Sequence, residues 1–335
     1  MRRYFALWAL PFFVAACQAS GSNPPANATP SNAIPAIGKI ATFSKPNVPD
    51  LEGPPRKSWI FASNGFKGNI DVYSEASLKL IASCPCFGVG LAVDPTTGDL
   101  AVGTHGGVVT VWHVSGKAIT QFATLALSQG QYAVGLAYDH KGDLYAGNVG
   151  QPVVDFYSAS EIAAGGGNPI RSVTLSNLQD IFYLAAPGDK LLADGYDVHG
   201  QAILVSVNLT AGGDTLLQQL SNYGSTAEGI VVDTHGHLIV NSGGNSNALL
   251  LFNKPWTGAP VSTFPYGDGG NSYYAGISLN KKQDTIWAGH YFLITIRQAS
   301  SNVQANSYPF GTLGPHSTAV ANEYYDSVAV DPQAK

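Results

Sequence analysis

The chain has 335 residues, of which 45% are hydrophobic and only 12% charged, with a formal net charge of −5 at pH 7. So few charges, beside the roughly 25% usual in soluble proteins, exclude an architecture of long solvated helices. With 38 Gly and 16 Tyr, the composition is that of an all-β fold. An acidic balance without a basic cluster excludes nucleic acid as a partner.

The first elements in chain order are not part of a fold. Arg2 and Arg3 precede an apolar run from Tyr4 to Ala16, which ends in Val14-Ala15-Ala16-Cys17. A charged start, a short apolar stretch and small residues before the cut are the marks of a secretory signal, here residues 1–16. The run is too short for a membrane-spanning helix, which needs about 20 residues. Val14-Ala15-Ala16-Cys17 resembles the bacterial lipobox, and the resemblance implies an exported protein whose Cys17 carries lipid and anchors it to the membrane of the cell envelope. Gln18 stands where an aspartate would direct retention at the inner membrane, so the same resemblance implies the outer membrane in a cell that has two. Residues 17–57 are rich in Pro, Asn, Ser and Ala and cannot bury enough surface to offset chain entropy, which predicts a flexible tether after the lipidated cysteine. Ile37 to Phe43 is a candidate strand within it.

The folded domain is expected over 58–335. Ser58-Trp59-Ile60-Phe61-Ala62, Asn69-Ile70-Asp71-Val72-Tyr73 and Leu78-Lys79-Leu80-Ile81 read as three strands. Cys84 and Cys86 follow. In an exported domain they are candidates for a disulfide, although an extended segment would hold their Cα atoms near roughly 6.8 Å, the upper limit for a bridge. From Gly90 a pattern recurs. An inner strand such as Gly90-Leu91-Ala92-Val93-Asp94 turns into Asp99-Leu100-Ala101-Val102-Gly103, and Gly135 to Asp139 turns likewise into Asp143 to Gly147. Further copies begin at Tyr183, Gly229, Gly276 and Ser327, giving intervals of 45, 48, 46, 47 and 51 residues between 90, 135, 183, 229, 276 and 327. Repeats of this length built from short strands predict β-propeller blades of four strands. The last copy stops after one strand, and the three strands after residue 57 complete it. The expected fold is therefore an all-β, six-bladed propeller closed by a composite blade from both ends of the domain.

The repeat, with its glycine-led inner strand and Asp-containing turn, resembles the NHL-like and SMP-30-like six-bladed propellers across nearly the whole domain. That resemblance implies a fold more firmly than a chemistry, because its members include binding modules, lactonases and other esterases. In a propeller, starts of inner strands and ends of second strands share one face around the channel. The residues there are Val89, Val134, Phe182, Glu228, Ala275 and Asp326, with Asn64, His105, Asn148, Asp194, Asn241 and His290. Glu228, Asp326, Asn148 and Asn241 offer the oxygen ligands that Ca²⁺ or another divalent cation takes, and Ala227-Glu228-Gly229 resembles the metal-binding strand of SMP-30-like hydrolases. His105 and His290 are candidate general bases, with no Gly-x-Ser-x-Gly elbow beside them. His235 and His237 in Thr234-His235-Gly236-His237 fall in a turn on the opposite face and read as solvated.

Tyr132, Tyr274 and Tyr325, with Asn64 and Asp194, are the candidate ligand-binding residues, since tyrosine combines large contact area with a polar tip. The reading that follows is an envelope-anchored propeller lipoprotein, acting as a scaffold that binds an envelope protein or a small-molecule ligand. The alternative is a divalent-metal-dependent lactonase or esterase of SMP-30-like type working through Glu228 and Asp326. A structural envelope protein without a small ligand is a third possibility.

Overall fold

The computed structural model describes residues 58–64, 68–75, 77, 79–130, 132–224, 226, 229–242, 248–265, 276–280, 285–290, 293–298, 312–313 and 325–331. The proposed signal, Cys17, the tether and the candidate strand Ile37 to Phe43 lie outside them. So do Glu228 and Tyr274, and the side chains of His290, Tyr325 and Asp326.

The domain is built from strands almost throughout. β1 (Trp59–Asn64), β2 (Asn69–Ser74) and β3 (Leu80–Cys84) form an antiparallel run. They are followed by β4 (Gly90–Val93), β5 (Leu100–Gly103), β6 (Val108–Ser115) and β7 (Ala118–Ala126). Next come β8 (Tyr132–Tyr138), β9 (Leu144–Val149), β10 (Val153–Tyr157) and β11 (Arg171–Thr174). The third set is β12 (Asp180–Ala185), β13 (Leu191–Tyr196), β14 (Ala202–Val207) and β15 (Asp214–Gln219). The fourth is β16 (Ile230–Val232), β17 (Leu238–Ser242), β18 (Ala248–Phe252) and β19 (Ser262–Pro265). The fifth is β20 (Ile277–Leu279), β21 (Thr285–His290), β22 (Leu293–Gln298) and β23 (Thr312–Leu313), before the final β24 (Tyr325–Val330).

Each set is one four-stranded sheet, and β24 joins the first as β24-β1-β2-β3. Five sheets are thus continuous in sequence, and one is shared between the two ends of the domain. The innermost strands touch in the order β24, β4, β8, β12, β16, β20 and back to β24, which makes a closed ring. This is a β-propeller of four-stranded blades, in which no blade leaves its faces bare.

The strands form where they do because each inner strand is small and apolar, and so can be covered on both sides. Gly90–Val93 is wholly buried, as is Leu100–Gly103 behind it. Blades pack on each other through clusters such as Phe61, Ile70, Leu91, Leu100 and Ala329, which mixes residues from the first and second sheets. Outer strands alternate instead, as in β7, whose buried residues are Ala123 and Leu125.

Two local expectations need correction. The third strand of the first run begins at Leu80 and ends at Cys84, two residues later than Leu78, because its register is set by Ile70 opposite Cys84 and Asp71 opposite Ser83. Cys84 and Cys86 are joined by a disulfide with Cα atoms 5.1 Å apart. The spacing estimated for an extended segment does not apply, since β3 ends at Cys84 and the chain bends through Pro85. A short helix, α1 (Ala159–Ala163), stands between β10 and β11, held by a capping box of Ser158 and Glu161.

Ring closure places its energetics on residues buried at the β24–β1 seam. Phe61 is 1% exposed and pairs with Ala329 across it. Phe61→Ala is expected to cost about 3–5 kcal/mol, whereas Val198→Ala, at a position 72% exposed, should stay within about 0.5 kcal/mol. Urea unfolding of both variants measures the contrast.

Candidate functional site

Around the ring axis, the inner strands create two levels of different character. At the level where the strands begin, backbones meet directly. A Cβ at Gly90 or Gly103 would fall on the carbonyl oxygens of Val134 or Ala133 in the neighbouring blade. A Cβ at Gly276 would lie 2.8 Å from the Tyr183 ring, so Tyr183 reaches past β16 to the start of β20. A side chain that spans two blades from an inner strand crosses near the axis and narrows it.

The polar residues expected to face an open channel at this level are buried instead. Asn64, Asn148 and Asp194 are 0% exposed and Asn241 is 3% exposed. The physical reason is the tight backbone packing just described, which leaves the ends of the second strands inside the wall. Asn64 Nδ2 donates to Asp71 Oδ2 at 3.3 Å, and Asn148 Nδ2 donates to the Val153 carbonyl at 3.4 Å. Asp194 lies opposite Tyr183 and Leu204 in its own sheet, and the Asn241 amide N–H donates to the Gly229 carbonyl at 2.8 Å. These bonds of Asn64, Asn148 and the Asn241 backbone run within the residue's own blade, while Asn148 Oδ1 is buried without a hydrogen-bond partner among the described residues. Asp71 and Asp155 are similarly structural. Asp155 accepts from Ser128 N (2.8 Å), Ser128 Oγ (2.5 Å) and Ser172 Oγ (2.6 Å), tying its sheet to the loop before it.

Towards the ends of the inner strands the ring opens into a cavity of about 270 Å³. Its wall mixes polar backbone with the side chains of Leu91, Leu136, Leu184, Ile230, Ile277 and Val328, contributed by six successive inner strands. Tyr138 stands in this wall with its hydroxyl buried and without a hydrogen-bond partner among the described residues. Burial pushes the Tyr138 phenol well above its usual pKa, helped by the charges of Asp94 and Asp99. The sequence reading did not single out this cavity, because the alternation of small and large apolar residues reads equally as packing.

On the face where inner strands begin, three rings assemble. Phe87, in the loop after the disulfide, stacks on His105 with ring centroids 6.2 Å apart and planes 8° apart. Tyr132, the first residue of β8, meets His105 edge-on at 4.4 Å and 78°. His105 comes from the turn after β5, so two connections and the start of β8 supply the cluster. Although His105 remains exposed at its edge, the flanking rings remove water from the imidazole and hold its pKa below 6.5. Among the described residues no carboxylate is bonded to it. His290 ends β21 on the same face by strand order.

On the opposite face, the turn between β16 and β17 is more than solvated. Asp233, His235 and His237 bring one donor atom each to within 4.8 Å of one another. The spacing of the two histidines was legible in the sequence; their convergence on Asp233 depends on a tight turn around Gly236.

No family model matches the sequence, and no curated protein matches it significantly. Among solved structures, the chain is similar to the crystal structure of RRP9 WD40 repeats, with a TM-score of 0.53 and 11% identity over 81% of this chain and 80% of that one. Identity this low speaks for the fold alone, and it agrees with a β-propeller.

Two outcomes are expected from this geometry. By NMR, His105 should titrate below 6.5, and Phe87→Ala should raise its midpoint by rehydrating the ring. Because the folded chain binds that proton less readily than the unfolded one, this residue's contribution to stability falls as pH drops through 6.5 towards the lowered value. Tyr138→Phe removes an unpartnered buried hydroxyl and should leave stability unchanged or raise it by about 1 kcal/mol, read from denaturant midpoints.

Proposed function

We propose that this chain is an envelope-anchored binding propeller, held to the membrane by a lipid on Cys17, which presents the face where its inner strands begin to a ligand or an envelope protein. One observation carries the reading: Phe87, His105 and Tyr132 form a contiguous aromatic cluster on that face. Packing within a blade does not require it, since Tyr132 belongs to a different blade from His105. Tyrosine and its aromatic neighbours offer contact area at small cost in side-chain entropy, which suits recognition. The likeness of the repeat to NHL-like propellers supports a binding role, and the lipobox-like Val14-Ala15-Ala16-Cys17 supports the anchor.

The hydrolase alternative rests on Glu228 and Asp326, whose side chains are outside the described residues, and on Asn148 and Asn241, which are buried within their own sheets. It is the second reading, and the observation that favours it is Asn148 Oδ1, buried without a hydrogen-bond partner among the described residues. A bound Ca²⁺ that melts out with chelator, together with turnover abolished by Glu228→Gln, would reinstate it.

The test uses the full chain in its native cell. A photo-crosslinking amino acid at position 132 should give a discrete adduct that disappears in Phe87→Ala. The same probe at Leu80, which is 55% exposed at the other end of the strands, should not give it. Equal labelling at both sites rejects the face. Cys17→Ser should move the protein from the membrane fraction to the soluble one and abolish incorporation of labelled fatty acid; retention on the membrane rejects the anchor.

A further inference from the structure

We infer that the β16–β17 turn is a binding site for a divalent transition-metal ion of the Zn²⁺ class, with Asp233 Oδ2, His235 Nδ1 and His237 Nδ1 as its ligands. The site lies on the face opposite the aromatic cluster and does not depend on the binding role proposed above.

The donors are already close to a coordination shell. Asp233 Oδ2 is 2.8 Å from His237 Nδ1 and 3.9 Å from His235 Nδ1, and all three donors fall within 4.8 Å of each other. Ligands held about 2.0–2.2 Å from Zn²⁺ in a tetrahedron are separated from each other by about 3.2–3.6 Å, so small rotations of the two imidazoles suffice. The two rings lie nearly parallel, with centroids 5.9 Å apart and planes 24° apart. Imidazole and carboxylate together suit Zn²⁺ and its neighbours rather than Ca²⁺ or Mg²⁺. Three ligands from one turn leave a fourth position to solvent.

The other carboxylate oxygen is engaged elsewhere. Asp233 Oδ1 accepts the His237 backbone N–H at 2.8 Å, which orients the carboxylate and leaves Oδ2 for the ion. Such a supporting hydrogen bond is what a ligating carboxylate needs around it. Trp256 Nε1 donates to the Gly236 carbonyl at 2.8 Å, and Lys254 packs against Gly236 with Nζ 5.6 Å from the Trp256 ring centroid. These contacts hold the turn's backbone, while the Lys254 charge tempers the affinity for a cation. In the ion-free state the His237 imidazole carries its proton on Nδ1 towards Asp233. With the ion bound, the proton resides on Nε2, and Nδ1 presents its lone pair.

An internal control shows that the histidines are not there to make the turn. Asp139-His140-Lys141-Gly142-Asp143 folds the same way. Asp139 Oδ1 accepts from the N–H groups of Lys141 and Asp143, as Asp233 Oδ1 does from His237. Gly142 N donates to the Asp139 carbonyl as Gly236 N does to that of Asp233, and both glycines have φ of 83°. The five-residue turn therefore forms with Lys and Asp where β16–β17 carries His235 and His237. Imidazoles at both positions add donors without adding to the fold.

The experiment uses the untagged full chain, stripped with chelator and dialysed against Zn²⁺ alone. Wild type should hold a zinc equivalent that His235→Ala weakens at least about tenfold. His235→Lys with His237→Asp, which copies the residues of the 139–143 turn, should lose that equivalent while keeping the chelator-treated melting temperature. His235 has 63% of its side chain exposed, so its replacement does not threaten folding. In wild type, Co²⁺ should give the visible absorption of a tetrahedral centre, absent in both variants. A wild type that takes up no zinc, or a His235→Ala protein that binds it as tightly as wild type, overturns the site.

Discussion

The close approach of neighbouring inner strands governs this molecule. Where Gly90 and Gly103 meet the carbonyls of Val134 and Ala133, no side chain separates one blade from the next. Strands this close bury both faces, which is why they must be small and apolar and why the second strands behind them are sealed from water. The same contact decides what the axis is like. It is tight where the strands begin, with Tyr183 reaching towards Gly276, and opens to a cavity where they end. The polar ends of second strands are thereby enclosed, with Asn148 Oδ1 left without a hydrogen-bond partner among the described residues.

The connecting loops divide the chemistry between two faces. On one, the rings of Phe87, His105 and Tyr132 lie together, and burial lowers the pKa of the imidazole. On the other, turns led by an aspartate repeat around the ring, and each aspartate caps its own backbone, as Asp94, Asp139 and Asp233 do. A carboxylate that satisfies a turn with one oxygen keeps a second oxygen available. At Asp233 two imidazoles face it, and the turn acquires a function its relatives in the same chain lack.

Much of this architecture was legible from residues alone. The period of the inner strands, the Asp-led turns and the sharing of one sheet between Trp59–Cys84 and Tyr325–Val330 all follow from apolar runs and turn residues, which are local signals. What was not legible depends on distances between blades. Asn148 and Asp194 sit at strand ends, and sequence places them on the axis; only the contact of backbones at the glycines shows how deeply they are buried. Tyr183 was visible as an inner-strand residue, but not its reach to Gly276. Phe87 carried no periodic signal at all. The helix at Ala159–Ala163 was missed despite its Ser158-x-x-Glu161 capping box, a pattern that marks a helix start wherever it precedes an apolar residue.

The seam between β24 and β1 has a consequence for how the molecule comes to exist. Ser58 Oγ donates to the Asp331 carbonyl across 273 residues of chain. Closing a loop of that length costs about 5 kcal/mol of chain entropy before any contact rewards it. The first sheet therefore waits, with the edge of β1 bare, until the last strand arrives. Every other blade is assembled from neighbours in sequence and can form in turn as the chain emerges. Maturation of the ring is consequently a single late event, and an interrupted chain keeps an open sheet edge available to pair with another copy.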